Sequence, residues 1–135
     1  MAERVTEGRA MVRAMAPRLL SGRFAFRSVT DPADAARLLP EALASFREDE
    51  GLSLILPAAE GVPAFRQITL DVLSALDGVG LTAAVSAALA AHDIPCNVVA
   101  ANNHDHVFVP DDRAEAALAV LLALSLGQDA LAELE

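Results

Sequence analysis

The sequence has a single cysteine, Cys96, so no disulfide can form within the chain and the bridged framework of small secreted domains is excluded. Cations are scarce and are all arginine. Ten of them stand against nineteen Asp and Glu, leaving a net charge of -9, which opposes non-specific phosphate binding, so nucleic acid is not expected as a partner. Long apolar runs are missing too. The longest, Ala116 to Leu126 with Ser125 inside it, falls short of the ~20 residues a bilayer span needs, and no membrane partner is expected. The first residues mix Glu3, Arg4, Glu7 and Arg9 where a secretory leader needs an apolar core; a cytoplasmic location is the expectation. What is plentiful is core material. Of 135 residues, 54% are hydrophobic, enough for one compact domain or two very small ones sharing a core.

The clearest pattern runs from Gly78 to Pro110. Leu81, Ala84, Val85, Ala88 and Leu89 recur at the helical period behind Gly78 and Gly80, so a helix starts near Leu81 and Pro95 ends it. Two β-rich runs follow, Cys96 to Ala101 and His104 to Val109, joined by Asn102 and Asn103, which tolerate the positive φ of a two-residue hairpin turn. That turn sets Ala101 against His104, Val99 against His106 and Asn97 against Phe108. Upstream, Phe65 to Val72 alternates as a strand with Ile68, Leu70 and Val72 on one face. Downstream, Asp111 or Asp112 with Glu115 offers a capping box for a helix to about Leu126, stopped by Gly127. Strand, helix, hairpin and helix in this order predict a ferredoxin-like α+β unit, an antiparallel sheet with its helices on one face.

The first part reads as a degenerate version of the same theme. A weak helix covers Thr6 to Met15. A strand follows from Arg23 to Val29, with Phe24 and Phe26 on one face and Arg23, Ala25 and Arg27 on the other. Asp31 caps a helix with Pro32 at its first position, and Pro40 splits Pro32 to Glu48 into two helical pieces. Arg47 to Gly51 is a charged turn, and Leu52, Leu54 and Leu56 mark a short strand. The small, flexible stretch Ala58 to Pro63 is the expected linker, dividing the chain into 1–62 and 63–135.

In the second part Val98, Val107, Cys96 and Val109 join Ile68, Leu70 and Val72 on the helix-facing side of the sheet, with Asp105 near that side's edge. The other side is half polar: Gln67, Thr69, Asp71, Asn97, His104 and His106 among Val99 and Phe108. Such a face meets a second sheet or a ligand. His104 and His106 share it at i, i+2, so a metal site is weighed, but its further ligands would have to come from Asp71 or His92, and hydrogen bonding at an interface is the alternative. Cys96 reads as a small buried hydrophobe. Ser74 and Ser86 have no acid-base framework around them, and Glu48, Asp49 and Glu50 read as a solvated turn beside Arg47. Arg66 is a candidate anchor for an acidic ligand, or a partner of Asp71 or of an acid in the first part. No catalytic residues, metal or cofactor are assigned. The backbone N–H groups of Val79, Gly80, Leu81 and Thr82, at the positive end of a helix dipole, suit a carboxylate or another anion, unless the glycines only permit the turn and Thr82 only caps the helix.

The run ITLDVLSALDGVGLTAAVSAALAAHDIPCNVVAANNHDHVFVP, with FREDEGLSLIL before it, resembles a family of small bacterial proteins built from two ACT domains in tandem. The second part is also similar to the arginine-sensing CASTOR proteins and to the regulatory domains of aspartate kinases. The resemblance implies two ferredoxin-like ACT subdomains and a non-catalytic regulatory module binding a small molecule, an amino acid in particular, at a domain or subunit interface. It places the ligand carboxyl group in the loop from Asp77 to Thr82, against the backbone of Val79, Gly80, Leu81 and Thr82; the neighbouring strands then make Asp71 or Asn97 available to its amino group. Asn102 and Asn103 stand where relatives usually carry aromatic residues, which bears on an alternative: a structural or protein-interaction module that has lost its ligand. A metal-dependent enzyme using His104 and His106 is a third reading. Exposed strand edges and a half-apolar sheet face give the expectation of a homodimer.

Overall fold

The computed structural model describes residues 8–73 and 79–127. Its elements in chain order are α1 (Gly8–Arg13), β1 (Pro17–Val29), α2 (Pro32–Leu38), β2 (Ala44–Glu48), β3 (Gly51–Pro57), β4 (Phe65–Leu70), α3 (Leu81–Ala91), β5 (Asn97–Ala100), β6 (Asp105–Pro110) and α4 (Ala114–Ser125), with short 3-10 turns at Leu39–Glu41 and Asp111–Arg113. Ser74, Asp77, Gly78, the residues before Gly8 and the tail from Gln128 lie outside the described residues.

The six strands form one sheet in the order β2-β3-β1-β4-β6-β5, and every neighbouring pair is antiparallel. The two halves of the chain therefore share a continuous sheet through the β1–β4 pair. The hairpin register is the one expected from the Asn102–Asn103 turn: Asn97 opposes Phe108, Val99 opposes His106, and Ala101 N donates to His104 O at 3.0 Å. Pro32 begins α2 as expected, and the Asp31 side chain accepts from Asp34 N. Gly127, at φ +84°, follows α4.

Several expectations change. Residues 44–48 form the edge strand β2 rather than a second helical piece; four of the five are exposed, so no apolar stripe existed to reveal the period. The hairpin turn is confined to Asp49 and Glu50, with Glu48 opposite Gly51. Strand β1 begins six residues before Arg23, at Pro17, because a bulge hides its alternation. Leu19 opposes Ile68 and Arg23 opposes Arg66, so residues 20–22 face Gln67 alone. Arg66 answers that bulge rather than Asp71: its Nε and Nη2 donate to Leu20 O at 3.1 and 2.7 Å, satisfying a carbonyl displaced from the regular ladder. Lastly, no side chain caps α4. Asp111 instead accepts from Arg23 Nε at 2.8 Å, with Arg66 Nη1 3.7 Å away.

Carried through the registers, alternation puts Leu19, Ala25, Val29, Leu54, Leu56, Ile68, Leu70, Val107 and Val109 on one side of the sheet, the side of the helices. The larger core packs Met11 and Met15 of the α1 region, Leu81, Val85 and Leu89 of α3 and Ala117 and Leu121 of α4 over β4 and β6; a smaller one gathers Val29, Leu38, Leu54 and Leu56 beneath α2. Helix α3 closes with Asp93 at φ +55°; Ile94 N donates back to Leu89 O and Asp93 N to Ala90 O, both at 3.0 Å, and Arg113 Nη2 donates to the carbonyl of the C-cap residue His92 at 3.0 Å.

Candidate functional site

Two places carry features of a site. The first is the start of α3. Gly80 is its N-cap residue, at φ +110° in the left-handed region, and has no side chain with which to cap the helix. An L side chain is strained there. Val79 is exposed, as are Gly80 and Thr82, whereas the Leu81 side chain is buried in the core. Helix α1 abuts this loop: a Cβ on Gly8 would fall 2.4 Å from Val79 O, and one on Gly80 would lie 3.5 Å from Gly8 Cα. The absence of a side chain at position 8 is what lets the two backbones touch.

The residues expected to serve the ligand amino group are separated. Asp71 lies just past the end of β4, where Arg18 grips its carboxylate through Nε at 3.0 Å and Nη2 at 3.3 Å. That guanidinium holds the Asp71 carboxyl below the usual carboxylate range. Asn97 is across from Phe108, which pairs with Gln67, three rows and so ~10 Å along the ladder from Leu70. The structure thus brings Val79, Gly80, Leu81 and Thr82 together, sets Asp71 in an ion pair and leaves Asn97 apart.

The second place is the side of the sheet without helices. Here the half-polar face of β4 and β6 meets aromatic residues from the first half. Phe108 is buried and stands edge-on to Phe24 and Phe26, with ring centroids at 6.1 and 5.5 Å, and Phe26 stands edge-on to Phe65 at 5.3 Å. Bulges increase the twist of a strand, and the bulged β1 carries both covering rings. The polar residues are engaged. Gln67 Nε2 donates to Thr69 Oγ1 at 3.0 Å and lies 3.1 Å from His106 Nδ1, and the Thr69 hydroxyl is 3.0 Å from the same nitrogen. With Nδ1 accepting, the ring proton sits on Nε2. Burial, and secondarily the nearby His104, lower the His106 pKa, so this imidazole is neutral at pH 7. His104 Nδ1 is 3.2 Å from Val72 O, and the two rings are 6.5 Å apart, near perpendicular. Among the described residues no three His, Cys, Asp or Glu side chains gather as a metal set. Cys96 is partly buried against the larger core and burial raises its thiol pKa, which suppresses the reactive thiolate.

Beyond these rings the face opens into an apolar groove of about 370 Å³, lined by Phe26, Ala44, Phe46, Ser53, Ile55 and Val99 among others. Strands β2 and β5 are the two edges of the sheet, yet both contribute to it, so the sheet curls around the groove. The sequence places Phe26 on a strand face but leaves Phe46 unread, because β2 has no buried face to mark its period.

Residues 63–123 match an ACT-domain family, and residues 5–64 match a second ACT-domain family. A Vibrio cholerae protein of unknown function, described as a possible transport protein, is 41% identical over 82% of this chain and 89% of its own, with a TM-score of 0.72. The aspartokinase alpha and beta subunits share the fold at 15% identity and a TM-score of 0.62, over 84% of this chain and 99% of theirs. The regulatory subunit of aspartate kinase from Thermus flavus does so at 14% and 0.55, over 81% and 95%. No curated protein matches the sequence.

Proposed function

Because the chain belongs to the ACT-domain family, with one such domain in each half, we propose that it is a non-catalytic regulatory protein that binds an amino acid and self-associates, its halves dividing between Val62 and Pro63. ACT domains are regulatory modules. The observation that carries the ligand reading is the start of α3: a left-handed Gly80 with no capping side chain, between exposed Val79 and Thr82. First-turn N–H groups at the positive end of an eleven-residue helix favour a carboxylate. Asp71, held ionised by Arg18, supplies negative charge at the end of β4 for an ammonium group. No reacting group is required of either residue.

A second reading, a structural module without a ligand, draws on the contact of Gly8 with Val79 O: on that view the loop serves to seat α1. Thermal-shift titration with the twenty amino acids separates the two, since a ligand at a hundred times its Kd stabilises by ~2.7 kcal/mol. The discriminating variant is Thr82→Asp. Thr82 is exposed in the first turn, where an acid complements the dipole by ~0.3–1 kcal/mol while repelling a bound carboxylate. The expected result is an amino-acid shift in the parent that vanishes in a variant whose own stability is equal or higher. No shift with any amino acid, or an undiminished shift in Thr82→Asp, would sink the loop site.

A further inference from the structure

We infer that the segment from Gly8 to Arg18 is a strap that sets the conformation of the loop at the start of α3 and, through it, the hold on an amino acid bound there. The inference rests on the loop site proposed above and adds the element that regulates it. The strap touches both described ends of the connection from β4 to α3. At the α3 end, a Cβ on Gly8 would fall 2.4 Å from Val79 O, so the two backbones are in contact. At the β4 end, Val72 N donates to Met15 O and Asp71 N to Ala16 O, both at 3.3 Å, and Arg18 Nε donates to the Asp71 carboxylate at 3.0 Å. Between these ends Met11 and Met15 are buried in the core with Leu81 and Val85 of α3. The first turn of α3 and the Asp71 carboxylate, the two groups proposed for the ligand, are thus held by one short stretch of chain.

The strap is built to lift. Helix α1 has six residues, well under the ~12–15 that an isolated helix needs to persist in water, so it is helical only while docked. Its hinge is strained. Ala16 has φ +45°, in the left-handed region that a Cβ disfavours, and Pro17 locks φ immediately after it, which confines the swivel to this residue. Lifting α1 releases Ala16 and so draws the lifted state closer in energy to the seated one, leaving a balance that a ligand can tip. The loop conformation that sets Gly80 at φ +110° and opens the first turn to a carboxylate is the one that places Val79 O against Gly8. The coupling is reciprocal: whatever factor the ligand adds to the seating of the strap, the strap adds to the affinity for the ligand.

Trypsin reads the strap directly, because Arg13 is the last residue of α1 and cleavage after it requires the helix to lift. In the full chain a millimolar mixture of the twenty amino acids should slow this cleavage. Gly8→Val should speed it about tenfold, the rate following the population of the open form. The same variant should raise hydrogen exchange at residues 79–82 and shrink the amino-acid thermal shift while unfolding stays cooperative; Gly8→Ala should do so by less. Leu38→Ala, in the smaller core, should lower overall stability and leave the cleavage rate unchanged. The inference is overturned if Gly8→Val is cleaved at the parent rate with unchanged exchange at residues 79–82. It is overturned too if Leu38→Ala speeds cleavage as much as Gly8→Val, since Arg13 would then be reached only through global unfolding. An amino-acid shift with no slowing of cleavage also overturns it and leaves the loop site standing. With no shift for any amino acid the loop site falls, and control of the loop by the strap is decided by Gly8→Val alone.

Discussion

The two halves carry the same kind of domain on unequal cores. Over β4 and β6 lie α1, α3 and α4, and among the described residues the buried cluster there holds sixteen, the cluster under α2 four. What keeps the first half ordered is therefore less its own core than β1, which belongs to both. Its beginning pairs with β4, and Leu19 packs against the larger cluster, while its end pairs with β3 and carries Val29 into the smaller one. An ACT unit that borrows its central strand from a shared sheet needs little burial of its own, and this leaves β2 and β3 free to build the groove.

The largest expected effect sharpens that contrast. Leu121 is fully buried in the larger cluster and Leu54 is 1% exposed in the smaller. Truncation of either to alanine should cost ~2–5 kcal/mol in urea unfolding, but the loss should be distributed differently. Leu121→Ala should lower the protection of all strands against hydrogen exchange, and Leu54→Ala chiefly that of β2 and β3, through an opening smaller than global unfolding. Equal loss of protection in β4 and β6 from Leu54→Ala would mean that the halves unfold as one and that the contrast is only geometric.

Much of this division was legible in the sequence. The second half announces itself through period: alternation in Phe65 to Leu70, a helical stripe from Leu81, and an Asn-Asn turn whose register follows from its two residues. The first half is harder to read because its elements are short, exposed or bulged. Strand β2 has no buried face to impose alternation. In β1 the bulge at residues 20–22 adds residues that only the pairing with Gln67 reveals. The candidate site was legible where it depends on local chain geometry, at Gly80 and Thr82, and illegible where it depends on curl, since the approach of Val99 to Phe46 joins opposite edges of the sheet. Nor could the partners of the arginines be read, because Arg18, Arg23, Arg66 and Arg113 bind acids and carbonyls tens of residues away.

A smaller effect lies where the halves are tied. Asp111 receives Arg23 from β1 and stands near Arg66 from β4, and Arg23 also reaches Val62 O in the linker at 3.1 Å. These groups are partly exposed, so the pair is screened. Asp111→Asn should cost about 1 kcal/mol and speed exchange in residues 58–64 more than in β6. An unchanged linker would show that the sheet alone holds the halves in register.

The smallest expected change concerns an imperfection within the better-packed half. Asp105 is the one acid among the buried residues described, 7% exposed, on the helix-facing side of β6 opposite Leu70 and Ala100. Burial raises its pKa, partly opposed by nearby His106. Below the ordinary Asp value the carboxyl is neutral in both states and costs nothing. As pH rises, the unfolded chain releases this proton first, so stability declines until the raised folded value is passed and then stays at a lower plateau. Asp71 works in the opposite sense: its depressed folded value adds stability above the unfolded pKa, lost as pH falls through the folded one. The parent profile mixes the two slopes, and Asp105→Asn isolates one of them. Urea unfolding from about pH 3 to 7 should show little difference between variant and parent at the acid end. At neutral pH the variant should be the more stable of the two, because it no longer has to ionise a buried carboxyl. A variant that is less stable at neutral pH would mean that the Asp105 carboxylate makes a favourable contact in the folded chain, and the tightly packed half would then depend on an ionised group at its core edge.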